Sequence, residues 1–103
     1  MNVVLEIGTK NYLDDLLCIK KHLSHMETLV GCHASYTLSE PSSKFGWTFF
    51  KLEFKSNLQI SISEKFSDTL LKYQLNDESQ TFAKFMGDYF LSRGCNVKIN
   101  PVN

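Results

Sequence analysis

The sequence predicts a two-layer α+β domain, a mainly antiparallel sheet in the order β-α-β-β-β-β-α-β with two helices on one face. Three observations lead there. Two stretches place apolar residues at alternating spacings of three and four, the helical period, while most of the remaining chain alternates apolar with polar. Four alternating stretches follow one another between the two helices, so they cannot all be joined by helical crossovers and must pair largely as an antiparallel meander. Finally, 103 residues with 43% hydrophobic side chains suit one core, hence a single domain over 1–103.

The first strand is expected at Val3, Leu5 and Ile7, which alternate with Asn2, Val4 and Glu6 and end at Gly8 and Thr9. From Asn11 the period changes. Tyr12, Leu16, Ile19, Leu23 and Met26 share one helical stripe, widened by Leu13 and Leu17. Asn11 suits the helix N-cap, and Asp14 and Asp15 put negative charge at the positive end of the dipole.

Val30, Cys32, Ala34, Tyr36 and Leu38 alternate with Gly31, His33, Ser35 and Thr37, the clearest strand pattern in the chain. A loop follows over 39–46, where Pro41 cannot donate to a ladder. Thr48, Phe50, Leu52 and Phe54 define the next strand. Leu58, Ile60 and Ile62 define another, joined by a turn at Lys55-Ser56-Asn57 that pairs Phe54 with Leu58 and Leu52 with Ile60.

Residues 67–75 fit either a fourth inner strand, from Leu71, Tyr73 and Leu75, or a short helix starting at Ser67; the strand is preferred. Asp77 and Gln80 form a capping box ahead of Phe82, Phe85, Met86, Tyr89 and Phe90 at helical spacing, and Gly94 closes that helix. Cys95, Val97 and Ile99 give the last strand. The core is expected to join Val30, Cys32, Ala34, Tyr36, Phe50, Leu52, Phe54, Leu58, Ile60, Ile62, Phe82, Phe85, Met86 and Phe90.

Eleven basic and 11 acidic side chains cancel, and the lysines are scattered in sequence around a single arginine, Arg93. That balance weighs against a nucleic-acid partner. No run of apolar residues reaches membrane-spanning length, and the N-terminus lacks the basic, then apolar, pattern of a signal peptide. Cys18, Cys32 and Cys95 are odd in number and widely spaced, which argues against a disulfide framework and a zinc ribbon and makes a reducing cytoplasm the expected compartment. Cys32 is expected to be shielded and Cys18 accessible.

Two side-chain sets could carry chemistry. Cys18, His22 and His25 fall on one stripe of the first helix and are good zinc ligands by type, but three donors on one helix match no zinc module, so no metal and no cofactor is expected. The strand registers, with Leu38 opposite Thr48, would put His33, Glu53 and Gln59 in one polar row, Ser35, Lys51 and Ser61 in the next, and Thr37, Phe49 and Ser63 in the third. A His33–Glu53 pair could serve acid-base catalysis, yet a flat open sheet neither encloses a substrate nor excludes water. No phosphate loop, nucleophile elbow or H-E-x-x-H is present.

The leading expectation is therefore not an enzyme but a small protein-binding module, of the inhibitor, immunity or antitoxin type, that occludes a site on its partner. Its binding face is placed at His33, Ser35, Trp47, Phe49, Lys51 and Glu53, on the side of the sheet that two helices leave uncovered. Trp47 and Phe45 folding back over the sheet edge is the competing arrangement. The alternatives in function are a sheet that stacks single-stranded nucleic-acid bases on Phe49 and Trp47, or a small enzyme or metal-dependent domain using Cys18, His22 and His25 or His33 and Glu53.

Overall fold

A computed structural model describes residues 3–73 and 77–102. The elements run β1 (Val3–Thr9), α1 (Tyr12–Val30), β2 (Tyr36–Leu38), β3 (Ser42–Lys44), β4 (Trp47–Phe54), α2 (Ser56–Lys65), α3 (Ser67–Leu70), α4 (Glu78–Ser92) and β5 (Lys98–Pro101). The expected α+β class holds: the sheet is antiparallel and ordered β2-β4-β1-β5, with β3 also on β4. Taking β2 and β3 as one edge, this is a split β-α-β arrangement, in which the first strand of the chain ends up inside the sheet. Among the described residues no helix is long and apolar enough to cross a membrane.

Alternation in β1 and β4 works as the sequence suggests. Leu5 faces Leu52 and Ile7 faces Phe50 across the ladder, and all four are buried beneath the helices. Ile19, Leu23 and Met26 of α1 and Phe82, Phe85, Met86 and Phe90 of α4 complete the core. Asp77 caps α4 by accepting the Gln80 N–H at 2.8 Å, and Gly94 adopts a φ of 87° beyond its end, both as expected. Leu13 and Leu17, by contrast, do not widen the buried stripe of α1 and stand in solvent.

Three expected strands are corrected. The segment from Thr28 to Ser35 is not extended: α1 continues through Val30 until Gly31 closes it at φ 75°, and the Cys32 N–H returns to the Glu27 carbonyl at 2.8 Å. Ala34 then takes a φ of 49°, and the Glu27 carboxylate accepts both the Ser35 N–H (2.9 Å) and its hydroxyl (2.6 Å). A helix stops where a residue can turn left-handed, and period-two alternation carries no such stop signal. Only Tyr36–Leu38 remains to pair, with Leu38 opposite Leu52 rather than Thr48. Val30 and Tyr36 are partly buried at the core edge, whereas Ala34 is exposed.

Leu58 and Ile62 are buried four residues apart on helix α2, while Ile60 between them is half exposed. All three fit a period of two, but Leu58 and Ile62 also fit a helical spacing of four, and the chain takes the helix, so the hairpin pairing of Leu58 with Phe54 does not form. Ser67–Leu70 is the short-helix alternative, with Leu71 exposed beyond it; Leu75 of the expected strand lies outside the described residues. Inside the expected 39–46 loop, Ser42–Lys44 pairs with β4 through a two-residue turn at Phe45 and Gly46, both at positive φ (53° and 80°). Pro41 splits this edge from β2, and there the Ser39 hydroxyl accepts the Lys51 N–H at 2.7 Å.

Candidate functional site

Helices cover one face of the sheet, so the opposite phase of each strand defines a second, helix-free face. It carries Glu6 and Gly8 from β1, Trp47, Phe49, Lys51 and Glu53 from β4, Lys98 and Asn100 from β5, and Thr37 from β2. Phe49 stands opposite Gly8 in the ladder, and the glycine is what seats it: a Cβ at position 8 would lie 3.0 Å from the Phe49 ring and 3.6 Å from Trp47. The Trp47 and Phe49 rings stack on each other with centroids 6.4 Å apart and planes 25° apart.

Charged groups from separate elements converge on this pair. The ammonium groups of Lys10 and Lys98 sit 4.9 and 5.0 Å from the Trp47 ring centroid, within cation–π range. Phe49 forms a ridge between two open depressions of about 520 and 280 Å³, which share Glu6. The first also holds Lys44, Lys51 and Glu40, and the second Lys98 and Asn100. Glu6 and Lys51 are direct ladder partners, so signs are mixed rather than segregated. At the tip of the neighbouring hairpin, Phe45 is 90% exposed in a left-handed conformation that bulky residues rarely adopt.

Trp47, Phe49, Lys51 and Glu53 therefore share the helix-free face, as their common phase in β4 requires. His33 and Ser35 do not join them. His33 is exposed in the loop after α1, and Ser35 is fully buried against Glu27. The rows that needed them are not formed: Glu53 accepts the Thr37 hydroxyl at 3.3 Å, and Gln59, Ser61 and Ser63 lie on α2. With His33 elsewhere, the His33–Glu53 acid-base pair has no geometric basis. Phe45 does not fold back over the sheet edge, while Trp47 is half-buried.

Sequence reasoning missed Glu6, Gly8, Lys10 and Lys98. The signal for three of them was available, since Glu6, Gly8 and Lys98 occupy the polar phase of β1 and β5; what was lacking was the pairing that sets those strands beside β4. Phe45 could have been found from its place before Gly46 in a two-residue turn.

A second cluster lies on the helical side. Cys18 and Cys95 form a disulfide, correcting the expectation of an accessible Cys18 thiol and no bridge; Cys32 is the free, buried cysteine. Their separation of 77 residues hides the contact, which arises because the turn after α4 passes α1. The nearest sulfur and nitrogen atoms of Cys18, His22 and Cys95 all lie within 4.8 Å of one another, and His25 is outside the group. Burial, and then the adjacent Lys21 and Arg93 cations, hold the His22 imidazole below the ordinary histidine range. Compared with known families, curated proteins and solved structures, the chain matches none, so both sites are read from their own geometry.

Proposed function

We propose that this chain is a protein-binding module that docks through the helix-free face of its sheet. In the concrete form of this reading it is an inhibitor, immunity or antitoxin-type protein that covers a functional site on its partner. What carries the reading is the stacked Trp47–Phe49 pair, seated on Gly8 and bordered by charges of both signs. Aromatic anchors inside a polar rim are the usual energetic centre of protein interfaces, and mixed rim charges select partners and orientation. The fitting partner offers an apolar side chain to the depressions beside Phe49, carboxylates toward Lys10 and Lys98, and a cation toward Glu6.

The position of Lys10 and Lys98 over Trp47 favours a second reading, a stacking platform for single-stranded nucleic acid. Against it, Glu6 lines both depressions and Glu40 the first, where they would repel a phosphate track, and the sole arginine, Arg93, lies over the Tyr89 ring. A photo-crosslinking side chain at Lys51, compared with one at Leu17 on the helical side, tests the proposal in living cells. A specific protein adduct from position 51, lost when Phe49→Ala is added, is expected. Nucleic-acid adducts at 51, or protein adducts only from 17, would overturn it.

A further inference from the structure

We infer that Cys18, His22 and Cys95, once the disulfide is reduced, form a binding site for a zinc ion, so that the cluster exchanges a covalent bridge for a metal. Cys18 and His22 are four residues apart on α1 and therefore project from one helical face, the spacing by which a helix offers two ligands to one ion. Cys95 arrives from the turn beyond α4 and is buried. Two thiolates and an imidazole are the ligand types zinc prefers, at about 2.3 Å for sulfur and about 2.0–2.1 Å for nitrogen.

In a tetrahedron those bond lengths place two sulfurs roughly 3.8 Å apart and sulfur and nitrogen roughly 3.6 Å apart. The three donor groups are already gathered within 4.8 Å, with the two cysteine Cα atoms 5.6 Å apart. Once the S–S bond is broken, rotation about the Cα–Cβ bonds of Cys18 and Cys95 moves the sulfurs apart. Of the three donors only His22 lines the neighbouring surface depression, with Lys21, Ser24, His25, Thr28 and Arg93; a water is the fourth ligand, and the two thiolates offset the nearby cations.

The redox step balances with a dithiol as reductant. Two electrons and two protons pass to Cys18 and Cys95, the S–S bond breaks, and the dithiol becomes its own disulfide. Zinc then displaces the two thiol protons to solvent. A small-molecule disulfide as oxidant reverses the sequence: it accepts the two electrons, takes two protons from solvent and leaves as thiols, while the Cys18–Cys95 bond closes and the ion is released. This inference is independent of the sheet-face reading, because its groups lie at the end of α4 and on α1.

The test is metal binding by the intact chain in both redox states. Protein reduced with a dithiol and freed of it anaerobically should bind one equivalent of zinc in equilibrium dialysis. Cobalt in its place should give a thiolate-to-cobalt charge-transfer band, and bound zinc should shield Cys18 and Cys95 from alkylation. The oxidised protein should bind none, and His22→Asn, which spares the bridge, should weaken zinc binding tenfold or more. Absence of zinc binding after reduction, equal binding in the oxidised form, or unchanged affinity in His22→Asn would overturn the inference.

Discussion

Phe45 occupies a backbone conformation that costs a bulky residue roughly 1 kcal/mol, yet its ring is 90% exposed and gains little packing in return. Asparagine before glycine is the preferred pair for such a turn. Phe45→Asn should therefore raise stability by about 1 kcal/mol in a denaturant titration, while weakening partner binding if the ring contacts the partner. Gly8 provides the converse. Gly8→Ala brings a methyl group to 3.0 Å from the Phe49 ring, which must give by a few tenths of an ångström, and the depressions on either side of the ring leave room for that. The expected outcome is a denaturation midpoint close to wild type with reduced partner affinity; a large loss of stability would show that Phe49 cannot move. Tyr73 donates its phenol to the Asp88 carboxylate at 2.8 Å, and this hydrogen bond, followed by burial, raises its pKa. A phenol pKa raised by folding stabilises fully below the unfolded value of about 10 and loses that contribution as pH climbs through the folded value. The part of the alkaline absorbance change that comes above the ordinary phenol range should accordingly shrink in Tyr73→Phe.

Helix α2 decides between two periodicities that the sequence leaves superposed. In a strand, Leu58, Ile60 and Ile62 would all face the core; in the helix only Leu58 and Ile62 do. Leu58→Ala should cost about 2 to 5 kcal/mol, and Ile60→Ser should stay within about 0.5 kcal/mol. Equal, large losses at both positions would restore the strand. Elements with one strong signal were legible. The capping box at Asp77 and the aromatic stripe of α4 agree with each other, and the alternation of β4 is reinforced by its β-branched and aromatic residues. The second strand was not legible, because its alternating residues overlap the last turn of α1. Where that helix ends is settled by Gly31 and by Glu27 reaching Ser35, a contact across eight positions that periodicity does not encode. The same limit explains why Trp47 and Phe49 could be placed on the open face, while His33 and Ser35, inferred from a register that does not exist, could not.

Across the whole molecule, β1 lies between β4 and β5, so the site is assembled from both ends of the chain around the strand in its middle. Lysines scattered in sequence thereby meet at Trp47, and the neutral overall charge conceals a locally charged, aromatic surface. The Cys18–Cys95 bridge ties the same distant segments together on the helical side. Closing a loop of that length should restrict the unfolded chain enough to contribute about 2 to 4 kcal/mol. Reduction with a dithiol in the presence of a metal chelator should lower the unfolding free energy by that amount, and an unchanged midpoint would mean the bridge contributes nothing to stability. In the proposed mode of binding, the helix-free sheet face holds the partner through Phe49. That mode is tested most directly by the affinity of Phe49→Ala for the protein captured at position 51, measured together with the variant's denaturation midpoint. A loss of roughly 30-fold or more with little change in midpoint is predicted, as truncating a central aromatic anchor removes about 2 kcal/mol or more. Unchanged affinity in a folded variant, with binding abolished instead by substitutions at Leu13 or Leu17 on α1, would contradict it.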